Sequence, residues 1–244
     1  MISSPYKIDN EILFKNHLKY MENRLINYTP TIPKKSDYVA MILELRNFEY
    51  METILKTVIY YLNETKSKNK WGLQIFHGEK NKKQIESITK NWKNVQLVNL
   101  NVNDITKLEY SNLLKTTDFW EKVNGKKVLT FQTDSILLRS GVDEFLKFDY
   151  VGAPWKKSKD GYFVGNGGLS LRTKDRMIEI TKEHSDITEE WEDTFFVKHL
   201  KGNGVADIET ASRFSMEDVF YQTPLGVHNP IKINTDLLKK VLSF

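Results

Sequence analysis

The run Lys127-Val-Leu-Thr-Phe-Gln-Thr-Asp-Ser-Ile-Leu-Leu-Arg139 sets one carboxylate between two apolar stretches. Val128, Leu129 and Phe131 before it, and Ile136, Leu137 and Leu138 after it, predict two buried segments, so Gln132, Thr133, Asp134 and Ser135 form a polar insert at a strand end. Burying a carboxylate without a partner costs several kcal/mol, so an acid in this position faces a cleft, a cation or a donor. In an α/β domain such a cleft lies outside the carboxyl ends of the strands.

Other residues could join Asp134 in chemistry, and each also has a plainer reading. Glu192 and Asp193, in Trp191-Glu-Asp-Thr-Phe-Phe-Val, fall near a predicted helix start, where the helix dipole favours negative charge. They cap that helix, or one of them, beside Phe195 and Phe196, acts as a general base with a tuned pKa. His228 lies in the loop Pro224-Leu-Gly-Val-His-Asn-Pro230 and is either a metal ligand through its imidazole or an ordinary loop histidine. His77 closes an early strand and either faces the cleft or caps the strand. Glu44 and Arg46 flank the end of the first strand, where a nucleotide base or ribose would sit or where the two would form a local salt bridge. Gly165-Asn-Gly167-Gly168 lacks dinucleotide-fingerprint spacing and precedes a strand; its glycines allow close ligand approach or a tight turn.

The elements that would position these residues follow from periodicity. Residues 9 to 27 carry Phe14, Leu18, Met21 and Leu25 at helical spacing, and Tyr28-Thr-Pro-Thr-Ile-Pro33 supplies a connector. From Asp37 onward, strands are predicted over 38–45, 71–76 and 95–100, with helices after them near 48–62, 80–91 and 104–122, leading into the strand before Asp134. Strand and helix units in series demand crossovers and a parallel sheet covered on both faces. After Arg139 the pattern changes: a short helix at 142–147, strands near 150–155 and 162–172, and helices near 173–184 and 189–201. The second half reads as a mixed-sheet extension that contributes loops to the cleft.

The 244-residue chain, 40% hydrophobic and 12% aromatic, can bury one substantial core. Its net charge of +4 is carried by scattered lysines, with clusters no longer than Lys34-Lys35, Lys82-Lys83 and Lys156-Lys157, which argues against a nucleic-acid stripe. The absence of cysteine excludes disulfides and thiolate metal sites. The first ten residues lack the basic flank and apolar core of a secretory signal, and no run is long enough to span a bilayer, so a cytoplasmic location is expected.

Taken in order, Glu44-Leu-Arg46, Trp71-Gly-Leu-Gln-Ile-Phe-His-Gly78, Phe131-Gln-Thr-Asp-Ser135, Val151-Gly-Ala-Pro-Trp155, Gly165-Asn-Gly-Gly-Leu-Ser-Leu-Arg172, Glu192-Asp-Thr-Phe-Phe196 and Gly226-Val-His228 resemble a poorly characterised family of glycosyltransferase-like domains with the GT-A fold. The resemblance covers about residues 37 to 230. It implies a three-layer α/β sandwich with a Rossmann-like N-terminal half and a mixed-sheet C-terminal half. An N-terminal helix and connector, 1–36, would precede one domain, 37–244, with a nucleotide-binding half at 37–139 and an acceptor-side half at 140–244.

The resemblance also implies roles. Asp134 is similar to the last acid of the Asp-x-Asp signature that holds a divalent cation under the diphosphate of a nucleotide sugar. Gln132 occupies the first acid position, where a ribose hydrogen bond is the more modest role. His228 is similar to a late histidine that completes the metal site. Glu192 and Asp193 resemble the acidic pair whose member deprotonates an acceptor hydroxyl, and Gly167-Gly168 resembles a loop passing close to the donor sugar. Glu44, Arg46, His77 and Thr133 complete the expected donor site. Expected partners are a Mn or Mg ion, a nucleotide sugar with a UDP-sugar foremost, and a carbohydrate or glycoconjugate acceptor. Oxygen ligands with one imidazole suit Mn, and a bound cation stabilises a departing diphosphate as a Lewis acid. Trp155, Phe163 and Trp191 could supply platforms for sugar faces or belong to the core. The expected activity is a hexosyltransferase-type transfer, with inversion as the working hypothesis. The rivals are a metal-dependent phosphoesterase and a non-catalytic carbohydrate- or partner-binding module on the same fold. Gln132 counts against a haloacid-type phosphatase, which needs a nucleophilic Asp there.

Overall fold

Val39, Met41 and Leu43 alternate with Ala40 and Ile42 along the first strand, and the two sets enter different hydrophobic clusters. A strand buried on both faces is what a parallel sheet between two helical layers requires. The computed structural model, which describes residues 7–64, 68–159, 161–184, 190–202 and 204–242, has this arrangement. Strands β1 (Tyr38–Leu43), β2 (Gly72–His77), β3 (Gln96–Asn99) and β4 (Lys127–Phe131) pair in parallel. After β4 come β5 (Ser135–Leu137), β6 (Tyr150–Gly152), β7 (Pro154–Lys159), β8 (Tyr162–Val164) and β9 (Leu169–Thr173). Antiparallel pairing of β9 with β4 and β6 completes a six-stranded sheet in the order β3-β2-β1-β4-β9-β6.

One helical layer holds α1 (Lys7–Arg24), α2 (Met51–Ile59) and α3 (Lys82–Thr89), whose Leu18, Ile54 and Ile85 pack in one cluster with Ala40 and Ile42. The other holds α4 (Lys107–Leu114), α5 (Thr117–Lys122), α6 (Lys174–Glu183) and α7 (Glu192–Leu200), which bury Leu114, Trp120, Met177 and Phe196 against Val39 and Met41. The three-layer α/β sandwich, parallel in its first half and mixed in its second, is therefore the architecture of this chain. Phe14, Leu18, Met21 and Leu25, read as one helix face, are all buried.

Differences from the sequence reading have local causes. The helix expected over 104–122 is two helices, because the Thr116 hydroxyl accepts the Phe119 N–H at 3.3 Å and starts α5 afresh. The helix expected at 189–201 begins at Glu192, and Glu189 lies outside the described residues. Two short C-terminal helices, α8 (Ile208–Phe214) and α9 (Thr235–Val241), were not expected; Asp207 and Asn234 cap them.

A second, three-stranded sheet matters more for the site. β10 (Ser215–Met216) pairs in parallel with β11 (Gly226–His228), which pairs antiparallel with β5. Asn10 in α1 ties this C-terminal region to the helical layer by donating to the Pro230 and Ile233 carbonyls at 2.9 and 2.6 Å. Among the described residues, no helix is long and apolar enough to cross a membrane.

Candidate functional site

Parallel pairing brings the carboxyl ends of β1 and β4 to the same edge, and antiparallel β9 returns its amino end there, with Leu169 opposite Phe131. The loops leaving these ends enclose a cleft of about 860 Å3. Glu44, Arg46, Gln132, Thr133, Asp134, Gly167, Gly168, Glu192, Asp193 and His228 all line it. His77 does not. It is buried at the end of β2, and its Nδ1 lies 3.1 Å from the Gly78 carbonyl, an arrangement that agrees with its strand-closing reading. Asn81 covers this strand end: its side chain donates to the Glu44 carbonyl at 2.7 Å and accepts the Gly78 N–H at 3.0 Å.

Glu44 and Arg46 form the local ion pair that was one of their two readings. Arg46 Nε and Nη2 donate to the two Glu44 oxygens at 2.9 and 2.8 Å, and the Leu45 and Arg46 N–H groups donate to Oε1. Burial pushes the Glu44 pKa up, but the hydrogen bonds from Arg46 outweigh it and hold the carboxyl below its usual range. The Thr133 hydroxyl donates to Glu44 Oε2 at 3.2 Å, which links the β1 and β4 loops. Gln132 donates through Nε2 to the Tyr110 hydroxyl at 3.2 Å.

Glu192 and Asp193 are neighbours in different environments. Both Glu192 oxygens accept from Arg172, at 2.6 and 3.0 Å, and Arg172 is fully buried among Trp120, Tyr150 and Phe196. Burial alone would lower the Arg172 pKa, yet the Glu192 charge raises it above its ordinary value and keeps the guanidinium charged. Asp193 turns Oδ1 to the Thr194 N–H at 2.7 Å, and its Oδ2 lies 3.7 Å from Lys159 Nζ. Lys159 in turn sits 4.0 Å above the Trp155 ring. Trp155 is thus buried under a lysine, Trp191 lines the cleft with about half its surface exposed, and Phe163 is not in the lining.

The two glycines owe their identity to these neighbours. A Cβ on Gly167 would stand 2.2 Å from Glu192 Oε1, and one on Gly168 would stand 2.0 Å from His228 Nε2. Both contacts are far inside van der Waals distance. Neither position has a positive φ, so close approach, and not turn geometry, excludes a side chain.

Asp134 and His228 meet: His228 Nε2 lies 3.5 Å from Asp134 Oδ1, and Nδ1 lies 3.4 Å from Oε2 of buried Glu217. Glu217 had no role in the sequence reading. Among the described residues Asp134 Oδ1 is a buried atom without a hydrogen-bond partner, and His228 Nδ1 and Glu217 Oε2 are buried atoms with no partner other than each other. Burial would lower the His228 pKa, but Glu217 and Asp134 raise it above the usual imidazole value. Asp134 Oδ1, a buried oxygen without a partner among the described residues, and the His228 Nε2 that faces it are a donor set that fits a divalent cation of the Mn or Mg kind whose other ligands come from substrate phosphate and water. Asp134 and His228 would hold it.

Arg172 and Glu217 are the functional-site residues that sequence reasoning missed. For Arg172 a signal existed: in Leu169-Ser-Leu-Arg-Thr173 a charge on a strand otherwise apolar calls for a buried acid, because an unpaired buried cation is costly. Glu217 follows a strand of two residues, too short to show a period.

A family model described as a protein of unknown function (DUF5672) matches residues 92–228. Among solved structures the chain is similar to the apo-form glycosyltransferase GlyE of Streptococcus pneumoniae TIGR4, at 14% identity and a TM-score of 0.44, over 82% of this chain and 55% of that one. It thus spans about half the length of GlyE. It is also similar to an active-site mutant of LgtC, at 14% identity and a TM-score of 0.44, over 72% of this chain and 74% of that one. Galactosyltransferase LgtC in complex with donor and acceptor sugar analogs matches at 12% identity and a TM-score of 0.47, over 83% of this chain and 95% of that one. No curated protein matches.

Proposed function

Since the chain belongs to the DUF5672 family of proteins of unknown function, its activity has to be read from the site, and we propose a glycosyltransferase that moves a sugar from a nucleotide donor to an acceptor hydroxyl with a divalent cation. The observation that carries this proposal is the meeting of Asp134 Oδ1 with His228 Nε2 at 3.5 Å in a cleft at the carboxyl ends of β1 and β4. The ordered motifs quoted above support it. When bound, the cation supplies Lewis-acid stabilisation to the leaving diphosphate.

The chain's own residues do the rest. Asp193 is the base that takes the acceptor hydroxyl proton, because it lines the cleft and the Thr194 N–H fixes one of its oxygens. Lys159 Nζ lies 3.7 Å from its Oδ2. Glu192 anchors the start of α7 to β9 through Arg172 and so aims Asp193. On the donor side, the Glu44–Arg46 pair and Thr133 form a rigid wall, and Gln132, next to Tyr110, offers an amide to the ribose. The donor class is a nucleoside diphosphate sugar, a UDP-sugar foremost, and the acceptor a carbohydrate or glycoconjugate.

The test is a panel of nucleotide sugars incubated with the purified protein and Mn2+, with free nucleoside diphosphate as readout. Release from one donor, faster with a sugar acceptor and lost on chelation, is expected. Donor binding without release would make the protein a binding module, and phosphate release from a simple ester would make it a phosphoesterase.

A further inference from the structure

Three strands of the small sheet end side by side: Glu217 follows β10, His228 closes β11 and Asp134 precedes β5. The pairings Met216 with Val227 and His228 with Ser135 set these residues in a row, and the Asn229 N–H donates to the Asp134 carbonyl at 2.8 Å, so backbone fixes their spacing. Glu217 Oε1 accepts from Asn229 Nδ2 at 3.3 Å and Lys232 Nζ at 3.4 Å. Its other oxygen lies 3.4 Å from the imidazole Nδ1.

An ionised carboxylate accepts and cannot donate, so the hydrogen of a neutral His228 goes to one of its two acidic neighbours. The Glu217 side chain is 3% exposed and the Asp134 side chain 49%; although Asp134 Oδ1 itself is buried, the carboxylate charge is shared with an oxygen open to water, which screens it far more. The hydrogen therefore sits on Nδ1. Nε2 then presents its lone pair to Asp134 Oδ1, and two acceptors 3.5 Å apart repel each other until a positive charge lies between them. Gly168 keeps that side of the ring open, since a Cβ there would stand 2.0 Å from Nε2.

We infer that Glu217 is a positioning residue that holds His228 as the Nδ1–H tautomer, so that Nε2 and Asp134 Oδ1 together face a divalent cation. This rests on the cation reading above. Carboxylates behind metal-binding histidines orient the ring and raise its basicity, and their loss weakens metal affinity about 10- to 100-fold.

Two measurements on the metal-free full chain test it. Long-range 1H–15N spectra above the His228 titration, assigned with His228→Gln, are expected to show Nδ1–H in the wild type and a shift toward Nε2–H in Glu217→Leu. Manganese titration followed by electron paramagnetic resonance is expected to show about 10- to 100-fold weaker binding in Glu217→Leu, with partial rescue in Glu217→Gln, which keeps an acceptor. If Glu217→Leu does not fold, Glu217→Gln and the wild-type tautomer carry the test. A wild-type Nε2–H tautomer, or equal Mn2+ affinity in a folded Glu217 variant, overturns the inference and leaves the cation reading standing. An Nδ1–H tautomer in a wild type that binds no Mn2+ overturns the cation's part in both and keeps only the hydrogen's placement.

Discussion

Charges in one part of the cleft are answered by partners within the chain, whereas in the row of Asp134, His228 and Glu217 the buried Asp134 Oδ1 faces His228 Nε2 without a hydrogen-bond partner among the described residues. On the answered side, Arg172 grips both oxygens of Glu192 and Arg46 grips both of Glu44. Such pairs fix loops and strand ends and hold each carboxylate in one orientation. The row instead presents a buried Asp134 oxygen without a hydrogen-bond partner among the described residues. Where adjacent residues share a cleft, chemistry therefore belongs to the group that its neighbours leave incomplete.

The sharpest way to break this comparison is to change the residue next to Glu192 and then the partner that holds Glu192. Asp193→Asn is expected to lower turnover by about a hundredfold to ten-thousandfold while leaving the unfolding midpoint unchanged, since a general base contributes on that scale; full activity would remove Asp193 from the chemistry. Arg172→Met is expected to destabilise the fold by about 3 to 5 kcal/mol, because it strands Glu192 in the interior. Denaturant unfolding measures this, and a loss below about 1 kcal/mol would show that the pair is not the anchor of α7. Next in size is Gly168→Ala, whose methyl collides with His228 Nε2. Overpacking of this kind costs about 1 to 3 kcal/mol, and Mn2+ binding is expected to weaken with it; unchanged binding would place the cation elsewhere.

The smallest effect concerns pH. The folded-state pKa of Glu44 lies below its usual value, so its contribution to stability is fully present above the ordinary carboxylate range and is lost as pH falls through the lowered value. Glu44→Gln is expected to flatten this acid limb in thermal unfolding measured from neutral to acidic pH. An acid limb identical to the wild type's would mean that the Arg46 pair contributes nothing.

Much of the sheet was legible because its strands are unbroken apolar runs bounded by polar residues, and serial strand–helix units force parallel order. Asp134 was legible for the same reason: it interrupts two runs that both become buried, β4 and β5. Gly167 and Gly168 line the cleft, but the reason they are glycines depends on Glu192 and His228, distant in sequence. His77 shows the limit of reading strand ends: the end of β2 lies at the same edge, yet Asn81 closes it off. The role of Glu217 was hidden because β10 exists only through its pairing with β11, and α8 and α9 were missed because helices of two turns present too few apolar positions to show a period.

The central claim is that Asp134 gathers a cation beneath a leaving diphosphate, and its most direct test is Mn2+-dependent release of nucleoside diphosphate by Asp134→Ala beside the wild type. Because the Asp134 side chain is half exposed, the variant is expected to unfold at the wild-type midpoint while turnover falls about a thousandfold, the equivalent of about 4 kcal/mol. Wild-type turnover in a folded Asp134→Ala would contradict the account.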